Sequence, residues 1–285
     1  MTNFFKFALF ALLPMVCSCN ILGDDDGGGA SQAPEFEVVE FLPAPGQFVN
    51  ENYTATTMTE ACSYAQESLE NHRLVSLGGF GGYIVVRFAE PIENRGEYSF
   101  GIYGNPFATS SEPGVVWVAQ DANGNGVADD EWFELCGSES EKETTLRNHS
   151  ITYSRTDDET KILWRDSEGG SGVIERNAAH KQNYFPAWVE EPEYTLTGTL
   201  LPDNAVMNGE WELLPLEWGY ADNFSSIDCL SQGLNIFRIS DARTADGDMA
   251  NLSQIDFVKV QSAINAVHTS IGETSTEVKC FVVYN

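Results

Sequence analysis

The chain has 285 residues, and 43 acidic side chains against 15 basic ones give it a net charge of −28. This balance argues against nucleic acid as a partner and against a polybasic membrane patch, because both need Lys and Arg, whereas it permits calcium, which binds oxygen ligands. Since 42% of the residues are hydrophobic and 12% are aromatic, the chain can build a core, and a globular protein is expected.

Residues 1–18 have the features of a lipoprotein signal peptide. Lys6 precedes an apolar stretch from Phe7 to Val16, which has the length of a signal-peptide core and is too short to span a bilayer. Ser18 supplies the small residue that the bacterial lipobox places before the acylated cysteine, so Cys19 is the predicted lipidation site. The alternative is an ordinary secretory signal with coincidental cysteines.

Residues 19–35 are predicted to be a lipidated, acidic, Gly-rich tether. The run Gly27–Gly29 is typical of a flexible linker. The preceding run Asp24–Asp26 is a solvated spacer in one interpretation. It also resembles the acidic export signal that follows the lipidated cysteine in surface lipoproteins of the Bacteroidota, and that resemblance implies exposure on the extracellular face of the outer membrane.

Residues 36–285 are predicted to form one domain, which begins with a strand and a helix. Residues 36–42 are a predicted strand, and Pro43 and Pro45 follow it. Thr57 and Glu60 form a capping box, in which their side chains satisfy the free amides of the first helical turn. Apolar residues then recur at helical spacing, so the pattern predicts one amphipathic helix over 58–70.

β signals dominate the rest of the chain. Short segments rich in β-branched and aromatic residues, bounded by Gly, Pro, Asn or Asp, predict strands at 73–77, 83–88, 98–103, 114–118, 132–135, 150–154, 161–164, 194–200, 234–239, 254–260 and 278–283. Residues 78–82 are glycine-rich and predict a tight turn. The alternative is a phosphate-binding loop, but such loops precede a helix or carry a GK[ST] motif, whereas here a strand follows and the motif is missing. The predicted fold class is all-β, a jelly-roll-like β-sandwich with one short N-terminal helix.

Four cysteines follow the predicted anchor: Cys62, Cys136, Cys229 and Cys280. In an oxidising compartment they can form one or two disulfides, and three complete pairings are open. The alternative is four buried small apolar side chains. No CxxC pair occurs, so a zinc knuckle is not expected.

The sharpest motif runs from Asp121 to Glu131 and matches the start of a calcium loop of the form D-x-[DN]-x-[DN]-G. The predicted metal ligands are Asp121, Asn123, Asn125, the carbonyl of Val127, Asp129 and Glu131. Position 12 is Trp132 instead of Glu, so Asp130 or Glu131 must replace that ligand, and the flanking strands place the loop in a β-hairpin. The alternative is an Asn-Gly hairpin turn with solvated acids.

Two aromatic clusters supply the candidate ligand-binding residues. These are Tyr184, Trp188, Trp218 and Tyr220. A ring face with a polar rim suits a sugar or another flat ligand, and loop residues such as Pro186 and Gly219 lie beside the aromatic residues. The alternative is that these side chains pack in the core of the sandwich.

The remaining polar motifs do not define a catalytic centre. The stretch Asp241–Asp248 is predicted to be a turn, with a weak cation site as the alternative. Residues 169–173 fail the last position of G-x-S-x-G, no HExxH occurs, and the four histidines are far apart in the sequence. No enzyme is predicted, although a carboxylate pair of the kind that cleaves glycosides needs only proximity in space.

A set of segments carries a family resemblance. The segments are 43–50, 75–86, 104–107, 110–118, 121–134, 217–224, 239–242, 255–261 and 272–277. As a set, they resemble a family of Bacteroidota lipoproteins described only as cell surface proteins or PKD domain-containing proteins, over about residues 36–280. The resemblance implies an extracellular β-sandwich without an established reaction. Such proteins look like companions of TonB-dependent outer-membrane transporters, and some neighbours of that type deal with cobamides.

Together these features predict a non-catalytic cell-surface lipoprotein, stabilised by calcium, that captures an extracellular nutrient, either a glycan or a cobamide. Its predicted partners are the outer membrane, reached through the lipid anchor, and a TonB-dependent transporter. A secreted carboxylate-dependent glycan hydrolase is one alternative, which an acidic pair in an aromatic-lined cleft favours. A structural or adhesive surface protein is the other, which an acidic surface without a pocket favours.

Overall fold

The computed structural model describes residues 31–158, 160–268 and 271–284. The predicted signal peptide, the predicted lipidation site Cys19 and the acidic run Asp24–Asp26 lie outside these residues. Within the predicted tether, Ser31–Gln32 form a strand, so β-structure begins before residue 36. None of the helices in the described part of the chain is long and apolar enough to cross a membrane.

Strands account for most of the regular structure. In chain order they are β1 (Ser31–Gln32), β2 (Phe36–Leu42), β3 (Val75–Ser76), β4 (Tyr83–Glu93), β5 (Phe100–Tyr103), β6 (Gly114–Ala119), β7 (Trp132–Leu135), β8 (Leu146–Arg155), β9 (Lys161–Asp166), β10 (Ser171–Glu175), β11 (Glu193–Leu200), β12 (Ala205–Asn208), β13 (Glu210–Leu213), β14 (Cys229–Leu230), β15 (Leu234–Phe237), β16 (Ala242–Arg243), β17 (Gln254–Ser262), β18 (Val267–His268), β19 (Gly272–Glu273), β20 (Glu277–Val278) and β21 (Cys280–Tyr284). Two 3₁₀ turns, Ser231–Gly233 and Ile239–Asp241, flank β15.

The helix α1 spans Met58–Glu70, the residues that the sequence predicts. The Thr57 hydroxyl accepts a hydrogen bond from the Glu60 amide at 3.2 Å, as an N-cap requires. The Glu60 carboxylate departs from the predicted capping box, because it accepts from the Thr56 amide and hydroxyl, one residue earlier. Ala61, Ala65 and Leu69 form the buried face of the helix.

A six-stranded antiparallel sheet, in the order β16-β7-β6-β17-β4-β2, forms one layer of the sandwich. Its central strand β17 pairs with both β4 and β6. One face carries Val86, Val118 and Val258, all fully or almost fully buried. The connection of β6 to β7, residues 120–131, holds the predicted calcium motif, and the two strands pair antiparallel, so the predicted β-hairpin is confirmed.

The second layer is a five-stranded sheet in the order β1-β21-β5-β15-β14. Phe281 of this sheet packs against Phe36 and Phe88 of the six-stranded sheet, with ring centroids 5.6 and 6.0 Å apart. The chain crosses repeatedly between the two layers, as from β4 to β5 and back to β6. The predicted all-β sandwich with one helix near its N-terminus is therefore confirmed.

A third, four-stranded sheet (β10-β9-β8-β11) packs on the glycine-rich turn that joins β3 to β4. The buried Tyr153 hydroxyl donates to the Phe80 carbonyl at 2.8 Å, and a Cβ on Gly81 would lie 2.6 Å from the Leu196 Cβ. The residues 78–82 thus form a turn between strands, as predicted, and the close approach of the third sheet requires a glycine at position 81.

The sequence pattern misses β10, the hairpin of β12 and β13, and most of the two-residue strands. The two-residue strands carry no periodicity of their own. Each is defined by its pairing: β18 and β19 pair with each other, whereas β1, β14, β16 and β20 pair with β21, β15, β7 and β3. Strand β10 alternates exposed and less exposed residues on a peripheral hairpin with β9, so it lacks the apolar run that marks a core strand.

Candidate functional site

Three of the four predicted ligand-binding aromatic residues belong to the core. Tyr184, Trp188 and Tyr220 are 3%, 8% and 1% exposed, so the prediction that they bind an extracellular ligand is wrong. The tyrosine hydroxyls have internal partners: Tyr184 donates to the His180 carbonyl, and Tyr220 accepts from the Glu139 amide. A buried aromatic side chain with a satisfied polar tip stabilises the sandwich and is not available to a ligand.

Trp218, the fourth of them, is half-buried and lines a cleft of about 290 Å³, here called the Trp218 cleft. The cleft lies between the end of β7, the end of β15 and the 3₁₀ turn that follows β15. Its lining residues are Tyr98, Leu135, Cys136, Trp218, Gly219, Ile227, Asp228, Ile236, Phe237, Arg238 and Asp241. An aromatic ring and two carboxyls therefore share one concave surface.

Asp228 is the most buried charged residue of the Trp218 cleft. Its side chain is 4% exposed, and its Oδ2 accepts a hydrogen bond from the Gly219 amide at 2.6 Å. Its Oδ1 has no hydrogen-bond partner among the described residues. Burial raises the pKa of this carboxyl, while the Gly219 amide, the Ser225 hydroxyl, its own backbone amide and, last, the Arg238 charge lower it. A buried acceptor without a partner is costly to the folded state.

Asp241 and Arg238 complete the charged set of the cleft. Asp241 is half-buried, and no described residue forms an ion pair or hydrogen bond with its carboxylate. Burial raises its pKa, and Arg238 and Arg243 lower it. The Arg238 guanidinium lies 4.0 Å from the centroid of the Tyr98 ring and has no carboxylate within 4 Å among the described residues. The cleft therefore holds charged groups that are not paired with one another.

The predicted calcium loop closes around its own acidic side chains. The Asp121 carboxylate accepts from the amides of Asn125 and Gly126, at 3.1 and 2.8 Å. The Asn123 and Asn125 side chains both lie against the Asp129 carboxylate, at 3.2 to 3.3 Å. Four of the predicted ligand residues are thus brought together, and Gly126 adopts a φ of +71° that permits the turn.

The other two predicted ligand positions are placed differently. Glu131 is exposed, whereas the Asp130 carboxylate accepts from the Ala122 amide at 3.1 Å and so turns into the loop. Of the two acids that the sequence offers in place of position 12, Asp130 is therefore the one that faces the loop. Val127 is 53% exposed, and its amide donates to Asn125 Oδ1 at 2.7 Å.

A buried acidic cluster lies elsewhere, and the sequence gives no sign of it. Glu112, Asp222 and Glu277 place carboxylate oxygens within 4.8 Å of one another. The Asp222 carboxylate accepts from the amides of Asn105 and Glu277, each at 2.9 Å, and Glu112 accepts from the Ser275 amide at 2.9 Å. Carboxylates this close either hold a divalent cation, whose preferred ligands they are, or share protons.

Burial and mutual repulsion raise the pKa values of this triad. Burial first, and then the Asp222 charge, raise the pKa of Glu112 to about 8. Burial raises the pKa of Asp222 to about 7 against two backbone hydrogen bonds that lower it. The pKa of Glu277 is raised well above its usual range by burial and by both neighbours. Without a cation, the triad keeps protons near neutral pH.

A second cleft, of about 910 Å³, is larger than the Trp218 cleft, but most of its polar groups are paired. Glu273 accepts from the Gln47 amide at 2.5 Å. His180 and His268 each contact a carboxylate, Glu51 at 2.5 Å and Asp203 at 3.3 Å. Glu273 and both imidazoles therefore already have protein partners, whereas the Arg176 guanidinium, which also lines this cleft, forms no ion pair or side-chain hydrogen bond with the described residues.

The four cysteines of the domain form no disulfide with one another. Cys62, Cys136 and Cys229 are half-buried and Cys280 is buried. Burial raises the pKa values of the Cys62 and Cys229 thiols to about 11. The structure therefore supports the interpretation of small apolar side chains, and neither of these two thiols is activated as a nucleophile.

The residues that the sequence misses share one property, which is that their partners are distant in the chain. Glu112, Asp222 and Glu277 lie in three separate loop or strand-end segments. Asp241 belongs to the stretch predicted as a turn, and a turn is present at 244–247. Asp228, which lines the same cleft as Asp241, lies in the long connection between β13 and β14. No pattern within one segment points to either group.

Comparison with known proteins identifies no family for this chain. No family model matches it, and no curated protein matches it.

Proposed function

We propose that this protein is a non-catalytic, lipid-anchored cell-surface protein that captures a glycan outside the cell. The observation that carries the proposal is the Trp218 cleft, in which an aromatic side chain lies beside Asp241, a half-buried carboxylate without a hydrogen-bond partner among the described residues. The ring face of Trp218 can stack on the C–H face of a sugar, and Asp241 can accept from a sugar hydroxyl. These are the two kinds of contact that a sugar ring offers.

The size of the cleft favours a glycan over a cobamide. At about 290 Å³, the cleft lies just below the range of roughly 300–1,000 Å³ that small-molecule sites occupy. It accommodates a group the size of one sugar ring. A corrin ring with its nucleotide loop is much larger, and only the 910 Å³ cleft approaches the volume that it needs.

The location and the partner in this proposal derive from the N-terminal sequence and the family resemblance. Acylated Cys19 anchors the chain to the outer membrane, and the tether with Asp24–Asp26 places the domain on the extracellular face. A captured glycan then passes to a TonB-dependent transporter. A net charge of −28 supports the exclusion of nucleic acid as a partner.

Binding is expected to depend on Trp218. Isothermal titration against a panel of mono- and oligosaccharides and cobamides should find a glycan ligand, and Trp218→Ala should weaken its binding by at least about 10-fold, because stacking on an aromatic ring is lost. Phe48→Ala is the matched control, since Phe48 is an aromatic side chain that lines the larger cleft.

Several outcomes would contradict the proposal. If no glycan binds, or if Phe48→Ala abolishes binding and Trp218→Ala does not, the Trp218 cleft is not the capture site.

A glycan hydrolase is the second candidate, because Asp228 and Asp241 line one aromatic cleft and burial raises both pKa values. New reducing ends in the same incubations, lost in Asp228→Asn and Asp241→Asn, would favour the hydrolase.

Calcium stabilisation is the second part of the proposal, and the convergence of Asp121, Asn125, Asp129 and Asp130 supports it. Chelation with EDTA should lower the melting temperature by about 5–10 °C, since a site filled at 100 times its Kd contributes about 2.7 kcal/mol. Asp121→Asn keeps the hydrogen-bond acceptor but loses a charge, so most of the shift should disappear. Asp246→Asn, an exposed acid outside the loop, is the control. Equal melting with calcium and with EDTA would refute the site.

A further inference from the structure

Lys259 lies in the central strand β17 of the six-stranded sheet, on the face that points away from the core. Val258, the residue before it, belongs to the core on the opposite face, and the residue opposite Lys259 on β6 is Trp117. The Nζ atom of Lys259 lies 4.8 Å from the centroid of the Trp117 ring, 5.1 Å from that of Trp132 and 6.0 Å from that of Tyr83. Aromatic rings from β6, β7 and β4 therefore surround this amine.

The amine of Lys259 has no hydrogen-bond acceptor and no salt bridge among the described residues. Two acids act on it from a distance, Glu40 and Glu134. The Glu40 carboxylate accepts from the Tyr83 hydroxyl at 3.0 Å, and the Glu134 carboxylate accepts from the Thr199 hydroxyl, so each acid has another partner. The Lys259 side chain is half-buried, but its Nζ atom is not sealed from solvent. A small molecule can therefore reach the amine.

These surroundings favour the neutral form of the amine. The ring faces attract an ammonium, but they replace water around it and no protein acceptor takes the place of that water. Burial lowers the pKa of Lys259 to about 8, although the charges of Glu40 and Glu134 raise it. Tyr83, the other titratable group beside the amine, stays neutral because burial raises its pKa. Only a neutral amine has a lone pair that attacks carbon, and loss of hydration is one way in which proteins activate lysine as a nucleophile.

We infer that Lys259 is a site of covalent modification, at which its amine forms an imine with a small aldehyde. The lone pair of Nζ attacks the carbonyl carbon, a proton moves from nitrogen to oxygen to give a carbinolamine, and loss of one water molecule leaves a C=N bond. The step needs no oxidant, reductant or metal. Lys259 does not line the Trp218 cleft, so the inference is independent of glycan capture there.

Reductive labelling with a limiting amount of glycolaldehyde and cyanoborohydride, followed by peptide mass spectrometry, tests the inference. At pH 7 we expect Lys259 to be labelled at least about 10-fold faster than the exposed Lys161 and Lys181, because a larger fraction of its amine is neutral. The ratio of its rate to theirs should fall above about pH 8, where the Lys259 amine is already mostly neutral and only the exposed amines continue to lose protons.

Two variants separate the lysine from its aromatic surroundings. Lys259→Arg keeps a positive charge among the rings but removes the amine, so the label should disappear from this peptide. Trp132→Leu opens one side of the cluster to water, so the advantage of Lys259 over Lys181 at pH 7 should shrink. Trp211→Leu is the matched control, because Trp211 packs against His268 and not against Lys259, and it should leave the advantage unchanged.

A purely structural role for Lys259 predicts a different result. Equal labelling of Lys259, Lys161 and Lys181 at pH 7, or a rate ratio that does not change with pH, would overturn the inference and leave Lys259 as a cation–π partner of the sheet. The pH profile of the wild type keeps the test decisive if Trp132→Leu does not fold.

Discussion

Between pH 5 and pH 8, the melting temperature of this protein in EDTA is expected to fall by about 10 °C. The main cause is the triad of Glu112, Asp222 and Glu277, whose carboxyls have raised pKa values in the folded state. Glu273, whose pKa burial raises to about 7, acts in the same direction. In the unfolded chain the same groups titrate near pH 4. The folded protein thus binds more protons than the unfolded chain throughout this window.

The sign of the effect follows from proton linkage. When the folded state holds more protons than the unfolded state, the free energy of unfolding decreases as pH rises, by up to about 1.4 kcal/mol per pH unit for each such group. The stabilisation is complete below the unfolded pKa values and is lost as pH rises through the folded ones, which are about 7 for Asp222 and about 8 for Glu112. Two or three groups over this range give a loss of several kcal/mol.

The variant Glu112→Gln is expected to flatten this pH dependence. Glutamine has nearly the same shape and cannot ionise, so one titrating group and its repulsion of Asp222 are both removed. Glu168→Gln, an exposed carboxyl away from the triad, is the control and should keep the slope of the wild type. A flat profile in the wild type, or an unchanged slope in Glu112→Gln, would contradict the assignment of the pH dependence to the triad.

Added calcium distinguishes proton sharing from metal binding at the triad. A divalent cation binds the ionised carboxylates, so its stabilising effect grows as pH rises. If calcium restores the melting temperature at pH 8 in an Asp121→Asn background, where the predicted loop is impaired, the triad holds the cation. If it does not, shared protons account for the cluster.

Local signals made part of the fold predictable from the sequence. The helix at Met58–Glu70 follows from its N-cap and its apolar spacing, which are properties of a single segment. The hairpin around the calcium motif follows in the same way from its Asn-Gly turns and flanking apolar runs. In both cases, the information that fixes the element lies within a few residues of it.

The candidate site was predicted less well because it depends on tertiary contacts. The choice between core and surface for Tyr220 depends on the Glu139 amide, which reaches its hydroxyl from another loop. Asp228 is buried beside the cleft with one oxygen bonded to the Gly219 amide and the other without a hydrogen-bond partner, and neither fact can be read from its own segment. The strand β1 likewise exists through its pairing with β21 at the opposite end of the chain. A single sequence does not show which residues, distant in the chain, come into contact in the fold.

Gly78→Ala is expected to cost at least about 4 kcal/mol of stability, or to prevent folding. Gly78 has a φ of +68°, and a Cβ at this position would lie 1.9 Å from the Ala44 carbonyl oxygen. The amide and the carbonyl of Gly78 are both engaged, with Ser275 and Ser262 respectively. The backbone therefore cannot shift to relieve the overlap without breaking buried hydrogen bonds.

Gly247→Ala separates steric overlap from backbone strain. Gly247 also has a positive φ, +88°, but none of the described atoms lies within 4 Å of the position that a Cβ would occupy there. Only the conformational cost of about 1–2 kcal/mol should appear at this residue. Thermal and urea melts of the two variants should thus differ by several kcal/mol. Equal losses would mean that the turn at 78–82 can move away from Ala44, and that close packing does not require its glycines.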